Sequence, residues 1–63
     1  IINLSEIEKL AEKKGQDYIF DASKFDKVLG TGKLTKKIKI TSKSFSKSAI
    51  EKIQAAGGEA ITC

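Results

Sequence analysis

The sequence predicts an α/β fold: a small single domain of short strands with two helices, of strand-strand-helix repeat character, with a βαβ unit at its C-terminal end. Two segments, one entered at Asn3 and one at Ser46, open with helix-capping residue types and continue with apolar residues three and four apart. Between them Lys37-Ile38-Lys39-Ile40-Thr41 alternates polar and apolar, the period of a strand with one buried face. The two helical segments also resemble each other under a fixed shift, which suggests one unit used twice.

Ile1 and Ile2 make an apolar entry. Asn3 and Ser5 are both N-cap types, each with a glutamate three positions on, at Glu6 and Glu8. Ile7, Leu10 and Ala11 then form one buried helix face, and the helix is expected to close at Lys13-Lys14-Gly15, with cations in its last turn and glycine at the exit. The sequon-like Asn3-Leu4-Ser5 is better explained by capping. Tyr18-Ile19-Phe20 reads as a short strand, Asp21-Ala22-Ser23 as a turn, and Phe25 as a core plug from the connection. Val28-Leu29 begins a second extended piece, interrupted by Gly30 and Gly32.

In the alternating stretch Ile38 and Ile40 face the core, while Lys37, Lys39 and Thr41 face out. Ser46 caps the second helix, whose buried stripe is Ala49, Ile50, Ile53 and Ala56 and whose end is Gly57-Gly58. Glu59-Ala60-Ile61-Thr62 is the closing strand of a right-handed crossover. Under the shift, Ile2 to Leu10 falls on Phe45 to Ile53, Gly15 on Gly58 and Tyr18 on Ile61. The expectation is two capped-helix-then-strand units that pack their apolar stripes together, with Asn3 as the counterpart of Ser46.

A chain of 63 residues is one thin domain, since a protein of this size buries only about 60% of the surface exposed on unfolding. Cys63 is the only cysteine and there is no histidine, so neither an internal disulfide nor a structural zinc site is supported. The chain begins at Ile1 rather than Met, which predicts a piece of a longer protein or a domain held by a partner. No apolar run approaches the about 20 residues of a membrane span, and no secretory leader is present. A soluble protein of a reducing, intracellular compartment is expected.

Charge is distributed more tellingly than its total of +4. Residues 1–26 carry four lysines and six carboxylates, whereas eight of the twelve lysines lie between Lys27 and Lys52 against one carboxylate, Glu51. Such a split predicts a half that faces a polyanion. A solvated face that only keeps the protein dispersed is the alternative.

Catalytic chemistry finds no support. Gly30-Thr31-Gly32-Lys33 fails as a phosphate loop, because Lys27 stands where the first glycine belongs and Leu34 where Ser or Thr would hold Mg²⁺. Without histidine no base activates Ser42, Ser44, Ser46 or Ser48, and no carboxylate pair sits beside an apolar pocket. No enzyme activity, cofactor or metal is expected.

The basic row remains. Side chains two apart on a strand lie about 7 Å from each other on one face, so Lys37, Lys39 and, if the strand persists, Lys43 form a ladder matched to successive phosphates. Lys33 and Lys36 flank it, and Lys47 joins the free amides of the second helix's first turn. All twelve basic residues are lysine. Lysine is a point charge suited to phosphate, while bidentate reading of a base favours arginine. A shaped nucleic acid held with little sequence readout is the expected ligand.

Lys27-Val28-Leu29-Gly30-x-Gly32-x-Leu34, then Ile38-x-Ile40, then Phe45-Ser46-x-x-Ala49-x-x-x-Ile53-x-x-x-Gly57-Gly58, resembles the C-terminal domain of a large-subunit ribosomal protein. The family is ribosomal protein fifteen of the large subunit with its relative eighteen-e. Ile2-Asn3-Leu4 and Phe25 to Gly30 resemble its archaeal and eukaryotic version more than the bacterial one. The resemblance implies that residues 1–63 are that single domain, without the long Gly-rich, basic N-terminal extension of family members. It implies a cytoplasmic structural constituent of the large subunit, monomeric outside the ribosome, with ribosomal RNA and neighbouring ribosomal proteins as partners and no membrane. Lys27, Gly30, Gly32, Lys33, Lys36, Lys37, Lys39, Lys43 and Lys47 would lie near the RNA. A protein-interaction module with a solubilising basic face, and a general nucleic-acid binder outside the ribosome, are the competing readings.

Overall fold

A computed structural model describes residues 1–63. In chain order the elements are β1 (Ile2–Asn3), α1 (Leu4–Leu10), β2 (Glu12–Lys14), β3 (Asp17–Asp21), β4 (Val28–Leu29), β5 (Ile38–Ser42), α2 (Lys47–Ala55) and β6 (Glu59–Thr62). Four strands make one sheet in the order β2-β3-β5-β6, and β1 pairs with β4 separately. Both pairings of β5 are parallel, Tyr18 to Asp21 against Ile38 to Thr41 and Lys39 to Ser42 against Glu59 to Thr62. The βαβ unit is therefore β5-α2-β6. Neither helix is long and apolar enough to cross a membrane.

The alternation of β5 divides its side chains as predicted. Ile38 and Ile40 are buried with Ile2, Leu4, Ile7, Val28, Ala49 and Ile53, which places both helices on one face of the sheet. Tyr18, Phe20, Phe25 and Phe45 pack around this cluster without being fully enclosed. Buried Ser42 ends the strand: its hydroxyl donates to the Ser44 carbonyl at 3.1 Å and accepts the Ser44 N–H at 3.4 Å. A buried hydroxyl satisfied by its own turn costs little, and it turns the chain before Lys43.

The first helix is shorter than its sequence predicts. It stops at Leu10, and Lys13 and Lys14 belong to a strand, paired with Tyr18 and Asp17. A helix of seven residues has little stability of its own. The Tyr18-Ile19-Phe20 strand instead recruits Glu12–Lys14 through a two-residue turn with Gly15 at φ +64°. Leu10 is consequently 58% exposed, and the buried pair is Leu4 and Ile7. Asn3 does occupy the N-cap, but its side chain makes no cap bond to the helix backbone and donates to Glu6 Oε1 at 3.3 Å.

The second helix follows its prediction in span and caps but not in the whole of its buried stripe. Ser46 Oγ accepts the Ala49 N–H at 3.1 Å. At the far end the N–H of left-handed Gly57 reaches the Gln54 carbonyl and that of Gly58 the Ile53 carbonyl, both at 2.9 Å. Ala49 and Ile53 are buried and Ile50 is 36% exposed.

The internal repeat thus holds in the N-cap positions and the flanking strands but not in the cap hydrogen bond or the buried faces. β3 and β6 flank β5 alike, yet buried Ile53 corresponds to exposed Leu10, and buried Leu4 to exposed Lys47. The two helices bury differently rotated faces, Leu4 and Ile7 in α1 but Ala49 and Ile53 in α2.

A glycine contrast tests this packing. A Cβ on Gly30 would strike Ser48 Oγ and lie 2.7 Å from the Ala49 backbone nitrogen, whereas one on Gly15 would meet nothing within 4 Å. Gly15→Ala should cost about 1 kcal/mol of left-handed strain, and Gly30→Ala about 2–3 kcal/mol of overpacking. Urea denaturation would measure both, and equal losses would contradict the seating of Gly30 on α2.

Candidate nucleic-acid interface

Gly30 and Gly32 bring backbone into a close approach, and the structure shows its partner to be the protein's own helices. Gly30 is buried against the first turn of α2. Gly32, at φ +96°, lies where a Cβ would come within 3.0 Å of the Ser5 backbone nitrogen in the first turn of α1. Between them the Thr31 carbonyl accepts the Ser5 N–H at 3.1 Å, so loop backbone supplies the partner that Asn3 withholds. Lys52 Nζ closes the arrangement, donating to the Gly30 carbonyl at 2.5 Å and the Gly32 carbonyl at 3.0 Å. The glycines shape this loop, and its exposed Thr31 and Lys33 are what it offers to a ligand.

The lysines fall into three groups rather than one row. Lys27, Lys43 and Lys47 are exposed on segments tied together at the Val28–Phe45 bridge, where the Val28 N–H reaches the Ser44 carbonyl and the Ser46 N–H the Val28 carbonyl. Lys33 and Lys36 follow the glycine loop. Lys36 is held inward, its Nζ 5.0 Å from the centre of the Tyr18 ring and 3.4 Å from the Glu8 carbonyl. Lys37 and Lys39 share a recess with Asp17 and Glu59.

The ladder ends early. β5 stops at Ser42, so Lys43 lies in a bend beyond the strand and does not extend the Lys37–Lys39 spacing. Register also places Lys39 on the open face of the sheet, directly beside Glu59 on β6 and Ile19 on β3. Asp17, Asp21 and Glu12 share that face by the same alternation. The amides of α2's first turn are not all free either, since Ser46 takes the Ala49 N–H and Gly30 sits over it.

Carboxylates from the N-terminal half thus enter the basic half. Glu8 is the clearest case: its Oε1 accepts the Thr35 hydroxyl at 2.6 Å and the Thr35 N–H at 2.5 Å. The Thr35 hydroxyl, then the Thr35 N–H, and also the charge of Lys36, hold the Glu8 carboxyl below the ordinary glutamate range. Charge segregation along the sequence does not survive intact in space.

A family model for ribosomal proteins fifteen and eighteen-e of the 50S subunit and twenty-seven-A of the 60S subunit matches residues 1–61. The chain belongs to this family. It is 42% identical over 71 residues to the large ribosomal subunit protein uL15 of Methanobrevibacter smithii, covering 95% of this chain and 49% of the relative. The uL15 of Solibacter usitatus is 46% identical over 70 residues, at 95% and 45% coverage. That of Thermotoga petrophila is 49% identical over 53 residues, at 84% and 34%. The chain therefore spans about half the length, or less, of the curated relatives it matches. The contact of Lys52 with the glycine loop has no counterpart in the sequence pattern, and neither has that of Glu8 with Thr35, since nothing local marks residues twenty or more positions apart.

The Glu8–Thr35 contact makes stability depend on pH in a defined direction. A carboxyl held lower in the folded protein contributes fully above its unfolded value and loses that contribution as pH falls through the folded one. Denaturation from pH 7 downward should show a loss on the acid side of the ordinary value of 4.5. Glu8→Gln should flatten that limb while leaving the fold intact, and an unchanged limb would remove Glu8 as its source.

Proposed function

We propose that this chain is the C-terminal domain of a cytoplasmic large-subunit ribosomal protein and acts as a structural, non-catalytic constituent that binds ribosomal RNA. The observation that carries the reading is the conjunction of family membership over residues 1–61 with a lysine-rich middle segment, eight lysines from Lys27 to Lys52. Its mechanism is neutralisation of phosphates by a preformed domain, with counterion release supplying much of the affinity. Lysines without arginine favour positioning on a folded RNA over reading of base edges.

Two of the three lysine groups fit this role best. Lys27, Lys43 and Lys47 surround the start of α2, and Lys33 projects from the clamped loop, with Lys36 behind it. Lys37 and Lys39 contribute less, because Asp17 and Glu59 offset them locally. Gly30 and Gly32 take part by fixing the loop from which the lysines extend. The open sheet face, with Ile61 37% exposed among charges of both signs, favours a neighbouring ribosomal protein there over a phosphate backbone.

Salt titration of binding to a large-subunit ribosomal RNA transcript tests the assignment. Replacing Lys27, Lys43 and Lys47 together by glutamine should weaken binding and lower the salt slope by about 0.7–0.9 per lysine lost. Changing Lys37 and Lys39 should cost less, and duplex DNA should compete poorly at the same salt. Equal affinity of the triple variant and the parent protein would refute the phosphate-contact mechanism.

A further inference from the structure

The end of α2 and the loop before β5 flank an open recess of about 230 Å³ lined by Lys33, Leu34, Thr35, Lys52, Ala55 and Ala56. It is smaller than the about 300–1,000 Å³ of sites that enclose a whole small-molecule ligand, and of the scale of one heterocyclic ring system. Leu34, Ala55 and Ala56 give it an apolar floor, and two ammonium groups stand at its rim. No carboxylate lines it; Glu8, the nearest acid in the hydrogen-bond network, is already engaged by Thr35. The recess holding Lys37 and Lys39 differs in both respects, lined by no hydrophobic residue and by two carboxylates, Asp17 and Glu59.

Lys52 distinguishes this recess further. An ammonium has three N–H donors, and two of those on Lys52 are taken by the Gly30 and Gly32 carbonyls. One donor and the full charge remain, fixed in place before any ligand arrives. A cation already immobilised by its own fold loses less side-chain freedom on binding an anion than a free lysine does. Lys33, by contrast, is exposed on the same loop and free to close over an occupant.

We propose that this recess accepts a single unstacked nucleotide of the bound RNA, its base on the floor of Leu34, Ala55 and Ala56 and its phosphate between Lys33 and Lys52. The proposal rests on the ribosomal RNA reading and refines it: single-stranded loops and bulges present bases that can leave the stack, and an aliphatic floor beside two ammonium groups would take such a base by burial of its face and its phosphate by charge. It also gives Lys52 a role in the site, both as the loop's clamp and as a phosphate ligand.

Two measurements decide it. In a titration of the protein followed by NMR, AMP should shift the amides of Leu34, Thr35, Ala55 and Ala56 at lower concentration than adenosine or inorganic phosphate does. Shifts centred elsewhere, or an equal response to phosphate alone, overturn the proposal. Ala55→Leu should fill the floor and weaken binding of a large-subunit ribosomal RNA transcript about tenfold, the scale of one nucleotide's contacts, with unchanged circular dichroism. Equal binding by a folded Ala55→Leu protein and its parent overturns the recess while leaving the RNA reading standing. Failure of the parent to bind the transcript overturns both, and should Ala55→Leu not fold, the AMP titration decides alone.

Discussion

Two helices of seven and nine residues are held in register by a loop of three residues with no regular structure. The loop Gly30-Thr31-Gly32 lies against the first turns of both, and side chains at either glycine would push them apart. One hydrogen bond from the Ser5 N–H and two from Lys52 fasten it. The constraint is steric before it is electrostatic. Backbone reaches helix only where no Cβ intervenes, and each bond then forms between groups that water would otherwise have to satisfy.

From that junction the remaining geometry follows. β4 enters the loop and bridges to Phe45, which delivers Ser46 to its capping position. β5 leaves it with Ile38 and Ile40 against both helices. The same loop leads into Lys33 and Lys36, so the basic surface proposed to meet RNA is anchored to a close approach of backbone to helix. A domain of this size has few core residues to spare, and placing its basic loop on a helix junction gives that loop rigidity without enlarging the core.

The separation of charge in the sequence is only partly a separation in space. Glu8 crosses to Thr35, and Asp17 and Glu59 stand beside Lys37 and Lys39 because parallel pairing on both sides of β5 brings them there. The lysines that escape such company are those on bends and at the start of α2. This is a reason for basic residues in small RNA-associated domains to be read by surface group and not by position along the chain.

Local chemistry alone determined the class of fold, the strand at Tyr18-Ile19-Phe20, the inward pair Ile38 and Ile40, and the span and caps of α2 from Ser46 to Gly57, because each rests on neighbours within a few residues. The family could be recognised for the same reason, its pattern being mostly that of turns and capped elements. Tertiary structure decided what depends on distant partners. It ended α1 at Leu10 because β3 could take Glu12–Lys14 as an edge strand, and it rotated the two repeated helices onto different faces. It also spent Gly30 and Gly32 on internal contact and turned Lys52 inward. Apart from the β2–β3 hairpin, whose pairs lie three to seven residues apart, each outcome rests on contacts between residues far apart in sequence, which no local pattern encodes.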